Sequence, residues 1–189
     1  MMLFQILSLL LGTAADLLAL AFLARVWMQW TRAPFRNPVG EFIAAATNWA
    51  ALPLRRVIPG LLGIDMASVC AAWLVQIAFF GIMAGLTGLV AIAPGAMFSV
   101  IWLAALAVLR MFIYLLMGVI IVAALLSWIN PHAPAMSMFD ALSRPLLLPV
   151  RRRLPPLGGI DLSPLVVLLL LQVVLIVLAG LQPMVGVLP

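Results

Sequence analysis

Two arginine clusters are the residues best suited to chemistry: Arg55-Arg56 and Arg151-Arg152-Arg153. A guanidinium is planar and forked, so it grips a phosphate or a carboxylate through paired hydrogen bonds. Prolines frame each cluster, Pro53 and Pro59 around the first and Pro149 and Pro155 around the second. They fix the backbone and so hold the side chains in place. One reading of these loops is topological: basic residues beside apolar spans set orientation and touch anionic headgroups, at about 1 kcal/mol each. The other is a docking site, present twice, for phosphate groups or for acidic segments of a partner.

Asp65 and Asp161 each stand just before an apolar run. An aspartate there is read as an N-cap worth about 1 kcal/mol, and a salt link to the neighbouring arginines is compatible with capping. Gly63 and Gly159, two residues earlier, suit a turn with positive φ or a close backbone approach. Asp16 and Arg110 are the charges embedded furthest from the arginine-rich ends of their spans. At helical rise Asp16 lies roughly 21 Å from Trp30 and Arg110 roughly 27 Å from Trp128. An intramembrane charge needs a named partner, and an Asp16–Arg110 pair joining the two halves of the chain is the expectation. The alternative is that Arg110 snorkels to the outer interface while Asp16 is satisfied by a Ser or Thr side chain or by a neighbouring helix.

Other chemistry is not offered. The chain has one His (His132) and one Cys (Cys70), so a His/Cys metal site and an intramolecular disulfide are not expected. There is no nucleophile–base pair, carboxylate dyad or phosphate-cradling glycine loop. The expectation is no enzyme and no cofactor. Gln5, Gln76 and Gln172 are single intramembrane amides suited to interhelical hydrogen bonds. Gly81 and Gly85 form a GxxxG that permits close packing, within the fold or in a homo-oligomer.

The elements that must position these residues are duplicated. The stretch from Pro53 to Asp65 recurs without a gap as Pro149 to Asp161, 96 residues on, keeping Pro, Arg-Arg, Pro and Gly-Ile-Asp in register. The chain therefore reads as two units, residues 1–93 and 97–189.

Composition says where the units sit. Of 189 residues, 67% are hydrophobic and 8% charged, against roughly 25% charged in a soluble domain. Mean hydropathy is +1.32. These values place the chain in a bilayer, and a pI near 11.4 then reflects orientation rather than nucleic-acid binding. Four runs reach the ~20 apolar residues a span needs: Leu3 to Trp30, Met66 to Ile92, Met97 to Ile129 and Leu162 to Leu188. Ala93-Pro94-Gly95-Ala96 turns between the middle two. No basic residue precedes Leu3, so the first run reads as a retained helix rather than a signal peptide.

The long connections, 31–65 and 130–161, carry most of the arginines. The positive-inside rule puts them in the cytoplasm and both termini in the periplasm. Trp27, Trp30, Trp49 and Trp128 cluster at that boundary as an aromatic belt would. Each connection holds a short amphipathic or re-entrant helix. In the first, Asn37 caps, Pro38 takes the first helical position, Glu41 the first turn, and Val39, Phe42, Ile43, Ala46 and Trp49 or Ala50 form the apolar face, with Pro53 as the stop. In the second, Ser137-Met138-Phe139-Asp140 resembles a capping box, Phe139 and Leu142 are the apolar contacts, and Pro145 is the stop. The fold class is all-α: four transmembrane helices from two tandem two-helix repeats, both pointing the same way.

The series Arg25-Val26-Trp27-Met28-Gln29-Trp30, Asn37-Pro38, Pro53 to Pro59 and Gly63-Ile64-Asp65 resembles the YggT family, also called YlmG. Ser127-Trp128-Ile129-Asn130-Pro131, Pro149 to Pro155 and Gly159-Ile160-Asp161 repeat the pattern. The first copy has six residues between its tryptophan and asparagine where the second has one, and only the second has a third arginine. The resemblance implies a small multi-pass protein of the bacterial inner membrane. It associates such chains with osmotic stress and potassium uptake, with division or nucleoid organisation, and in plastids with haem attachment. It supplies no catalytic residue. The expectation is an accessory or assembly factor that binds membrane lipids and partner membrane proteins through its arginine loops. The alternative is a small ion or solute transport component linked to osmotic stress or potassium.

Overall fold

A computed structural model describes residues 2–61, 63–88, 95–130, 132–133, 135–153 and 161–181. The described residues form six helices: α1 Met2–Trp30, α2 Pro38–Leu54, α3 Met66–Leu86, α4 Ala96–Ile129, α5 Met136–Arg151 and α6 Ser163–Gly180. Four of them, α1, α3, α4 and α6, are long and apolar enough to cross a membrane. At 29 and 34 residues, α1 and α4 measure about 43 and 51 Å, well beyond a ~30 Å hydrocarbon core. The chain is thus an all-α multi-pass membrane protein.

In lipid there is no hydrophobic drive between helices, so close backbone approach decides which ones pair. Helices α1 and α3 meet through Ala19, Ala71 and Ala72, all nearly inaccessible, with Phe22, Leu23 and Ala51 completing the cluster. The two halves join in a second cluster. Trp27, Met28, Ala33 and Ile43 of the first pack against Leu116, Val119, Met138 and Leu142 of the second. The outward faces carry large exposed apolar side chains, among them Leu9, Leu17, Ile121 and Leu169. In water such surface would aggregate; in lipid it is solvated.

Local signals in the first connection mostly hold. Asn37 adopts an extended backbone and accepts from the Gly40 N–H at 2.9 Å, with Pro38 opening the helix and Glu41 in its first turn. The buried face differs from the expected one: Gly40, Ile43, Thr47 and Ala51 turn inward, while Val39, Phe42 and Trp49 are exposed. Small residues win the inward face because the helix must lie close to its neighbours. Gly40 shows how close, since a Cβ there would come within 2.5 Å of the Phe35 carbonyl oxygen.

Three helix boundaries correct the sequence reading. Pro53 does not stop α2, which runs through it to Leu54. Nor does Pro145 stop α5, which contains both Pro145 and Pro149 and ends at Arg151. Interior prolines cost about 3 kcal/mol in an isolated helix. Here packing offsets that: Met138, Leu142 and Leu147 are buried on one side of α5. Ser137 is not an N-cap, because the helix already begins at Met136 with Ala135 before it and no side-chain cap there. The second span ends at Leu86, followed by a turn at Thr87 and Gly88. Gly95 has φ +94° and opens α4. The expected turn residues Ala93 and Pro94, and the far end of the fourth span beyond Leu181, lie outside the described residues.

The tryptophans divide. Trp30 and Trp128 are exposed at the ends of α1 and α4, as belt residues would be, and Trp49 is exposed within α2. Trp27 is not a belt residue: it is buried, stacks on Trp30 with ring centroids 4.9 Å apart, and donates its Nε1–H to the Leu142 carbonyl at 3.1 Å. It is therefore a bolt between the halves.

Gly40 and Gly81 give opposite expectations for the same substitution. Gly40→Ala forces backbone apart and should destabilise by about 1–3 kcal/mol. A Cβ on Gly81 meets nothing within 4 Å, so Gly81→Ala should stabilise α3 by up to about 1 kcal/mol. Titrating both variants with denaturing detergent checks this. Loss of stability in Gly81→Ala would mean that this face packs against a second molecule.

Candidate functional site: a buried arginine–aspartate hub

Asp65 ends the arginine loop and begins α3. Gly63, with φ +82°, makes the turn that aims it, and Leu61 and Ile64 close that turn with reciprocal backbone hydrogen bonds of 3.2 and 2.9 Å. The positive φ expected at Gly63 is present; Gly159 lies outside the described residues. As the N-cap, Asp65 accepts from the Ser68 N–H, and Ser68 Oγ donates to Oδ2 at 2.6 Å.

Two arginines complete the carboxylate's shell. Arg55 is forked onto Asp65, Nε to Oδ1 at 3.1 Å and Nη2 to Oδ2, and Nη2 also donates to Gln29 Oε1 at 2.7 Å. Arg25, on α1, approaches Oδ2 with its Nε at 3.6 Å. Its Nη1 donates to Thr47 Oγ1 at 2.8 Å and to Asn48 Oδ1 at 2.7 Å on α2. One carboxylate thus ties three helices and a loop together, and Arg25, Thr47, Asp65 and Ser68 are all buried.

Burial by itself would raise the Asp65 pKa. Hydrogen bonds from Arg55 and Ser68, with the Arg55 charge, outweigh it and hold the carboxyl below its ordinary 3.8. The hydrogen bond to Asp65 keeps the Arg55 guanidinium above its ordinary value, with burial opposing.

The second repeat has the same motif in a looser form. Arg151 Nε donates to Asp161 Oδ2 at 2.8 Å, and Asp161 Oδ1 accepts from the Ser163 N–H at 2.9 Å. Asp161 therefore caps α6, though one residue outside its N-cap position, Leu162. Its side chain is 40% exposed, against 2% for Asp65. Burial again pushes its pKa up, and the bonds from Ser163 and Arg151 bring it below the ordinary value.

The structure does not bring Asp16 and Arg110 together. Asp16 Oδ1 instead accepts from Gln76 Nε2 at 2.8 Å, linking α1 to α3 within one half. Asp16 faces α3; the halves meet elsewhere, around Trp27 and between α3 and α4, where the Trp73 Nε1–H donates to the Ile101 carbonyl at 3.3 Å. Arg110 has no ion pair or hydrogen bond among the described residues. Of the arginines expected to act as one docking set, Arg55 and Arg151 are engaged internally, while Arg56, Arg152 and Arg153 are exposed.

Sequence reasoning missed the roles of Arg25, Gln29, Thr47 and Asn48. Arg25 carried a usable signal, a charge a full turn inside the end of an apolar span. Thr47 and Asn48 carried none beyond being the polar residues on a mostly apolar helix. Among the described residues no group of acidic, His or Cys side chains is placed to hold a metal ion.

The fold and hub define a multi-pass membrane protein in which an arginine–aspartate pair stands before the next span, at Asp65 and again at Asp161. The sequence profile of the family described as CCB3/YggT matches residues 4–86 and 102–182, one segment in each half. The chain belongs to the CCB3/YggT family. It is similar to "Uncharacterized protein YggT" of Escherichia coli K12, 37% identical over 170 residues, covering 89% of this chain and 86% of that one. An uncharacterized protein of Pseudomonas aeruginosa is 36% identical over 180 residues, covering 94% and 90%. One of Vibrio alginolyticus is 34% identical over 166 residues, covering 87% and 89%. No solved structure matches.

The two aspartates should differ sharply on mutation. Asp65→Asn leaves two arginines facing a neutral group and should cost about 3–5 kcal/mol. Asp161→Asn, at an exposed pair, should cost about 1 kcal/mol or less. Because the folded pKa of Asp65 is depressed, its contribution is present above the ordinary carboxylate value and is lost as pH falls through the lower folded value. Detergent-unfolding titrations should show the gap between wild type and Asp65→Asn constant near neutrality and closing below about pH 4.

Proposed function

We propose that this chain is a non-enzymatic accessory or assembly factor of the bacterial inner membrane, which docks partner membrane proteins or anionic lipid through its arginine loops. The supporting observation is a division of labour among the arginines. Arg55 and Arg151 are spent on Asp65 and Asp161. Arg56, Arg152 and Arg153 project from the same loops, exposed, with no side-chain partner among the described residues. The internal pairs fix Arg55 and Arg151 beside Asp65 and Asp161, so the neighbouring outward arginines are presented at a lower ordering cost. In this reading the loops face the cytoplasm and both termini the periplasm, following the arginine bias. The exposed apolar side of α2, with Val39, Phe42, Trp49 and Leu52, then lies in the inner interface.

The alternative is a small ion or solute transport component linked to osmotic stress or potassium uptake. The observation favouring it is the half-buried Asp16–Gln76 pair inside an apolar span.

Replacing Arg56, Arg152 and Arg153 with glutamine should leave the detergent-unfolding midpoint unchanged. Affinity for anionic vesicles should fall by about 1 kcal/mol per arginine, roughly a hundredfold for three. Photocrosslinkers at positions 56 and 152 should trap the same membrane protein in cells. Arg55→Gln should instead lower stability. Specific ion flux through liposomes holding the pure protein would overturn the accessory reading in favour of transport.

A further inference from the structure

The second repeat rebuilds the hub with one member missing. Aligning Trp128 with Trp30 puts Ala123 where the first repeat has Arg25. Aligning the arginine loops puts Ser143, Arg151, Asp161 and Gln172 where it has Thr47, Arg55, Asp65 and Gln76. All five of these residues line one cavity of about 550 Å³ between α4, α5 and α6. That volume is within the range of ligand sites. In the first repeat the Arg25 side chain crosses the corresponding space to Thr47, Asn48 and Asp65. In the second, a methyl group stands in its place.

The chemistry left behind is specific. Asp161 has one arginine where Asp65 has two. Pro164 stands where Ser68 does, so the hydroxyl beside Asp161 is that of its neighbour Ser163. An ionised carboxylate offers about four acceptor positions. Among the described residues, those of Asp161 accept from Arg151 and from Ser163. The charged groups on the cavity wall are Asp140, Arg151 and Asp161, two negative and one positive, for a net charge of −1. Arg144 replaces Asn48, but it is exposed and does not line the cavity. The remaining wall is apolar, and its lip carries Leu125, Leu165 and Leu169, all exposed on α4 and α6. An occupant therefore enters past apolar flanks of membrane-type helices.

We infer that this cavity receives a guanidinium from another chain: an arginine near the end of a partner's transmembrane helix, seated on Asp161 and Ser143. The first repeat is the occupied form of the same site, with its guanidinium carried on the chain's own helix. A cation complements the wall charge, whereas an anionic lipid headgroup would meet Asp140 and Asp161. The site is separate from the outward arginines and opposite in charge, so it stands whether or not those arginines dock anything.

The test uses the full chain in phosphatidylcholine nanodiscs. The probe is a synthetic Leu/Ala transmembrane peptide with one arginine near one end and a photocrosslinker beside it, compared with its glutamine twin. The arginine peptide should crosslink to α4–α6 at least about tenfold more strongly, and Asp161→Asn should abolish the preference. Ala123→Arg, which supplies the guanidinium from within, should also block crosslinking and raise the thermal midpoint. Arg56, Arg152 and Arg153 variants should crosslink as wild type does. Equal crosslinking by the two peptides, a preference that survives Asp161→Asn, or a lowered midpoint in Ala123→Arg would each overturn the inference. So would loss of the preference when phosphatidylglycerol or phosphatidylethanolamine is added, which would identify a lipid occupant.

Discussion

A carboxylate buried beside an apolar span must be neutralised where it stands, and the whole first repeat is arranged around that requirement at Asp65. Two guanidiniums, a hydroxyl and a backbone N–H converge on it. They come from α1, the loop after α2 and the first turn of α3, so their convergence fixes how these elements sit. Such a cluster adds little net stability over an apolar core of the same shape, because each charge gives up its hydration. Its effect is geometric. Apolar helices slide and rotate against one another at small cost, whereas a misplaced Arg25 or Asp65 would leave a charge unpaired in a dry site.

That constraint also explains why the prolines do not act as stops. Pro53, Pro145 and Pro149 interrupt hydrogen bonding within α2 and α5, yet both helices continue. Each carries the chain to its arginine, Arg55 just past the end of α2 and Arg151 at the end of α5. Helix ends are set by where the ion pair needs the chain to be, and local propensity is overridden. The motif at Asp65 is thus a fastening: a helix delivers an arginine, a loop closes, and an aspartate caps the next span; at Asp161 the arginine and the capping aspartate recur.

The architecture was legible in the sequence because it rests on long-range composition and on a repeat. Four apolar runs, an exact register between Pro53 and Pro149, and Asn37 before Pro38 each have one physical meaning. The site was less legible because it depends on which helix faces which. Asp16 and Arg110 looked like partners as the two deep charges; the fold instead turns Asp16 toward Gln76. Arg25 is one arginine near the end of an apolar run, and only its contacts with α2 show that it reaches Thr47 and Asn48. Trp27 looked like a belt residue, and its role appears only when Leu142, 115 positions away, offers a carbonyl. A hydrophobic pattern reports that a face is buried, not what it is buried against.

Duplication makes the asymmetry between the halves informative. Two copies of one unit carry the same motif at Asp65 and Asp161, yet one is sealed and the other 40% exposed. The difference traces to few positions: Ala123 for Arg25 removes a guanidinium, Pro164 for Ser68 leaves Ser163 as the neighbouring hydroxyl, and a cavity lies where the missing side chain would be. Had the second copy merely decayed, apolar side chains would be expected to close the gap, as they do around Ile120 and Leu147 nearby. The cavity instead keeps Ser143, Arg151, Asp161 and Gln172, the polar set that the first repeat uses for a guanidinium or an intramembrane carboxylate. Polar groups are costly to hold at an apolar wall unless something satisfies them. Their retention around an open cavity is the physical case for an occupant supplied from outside the chain.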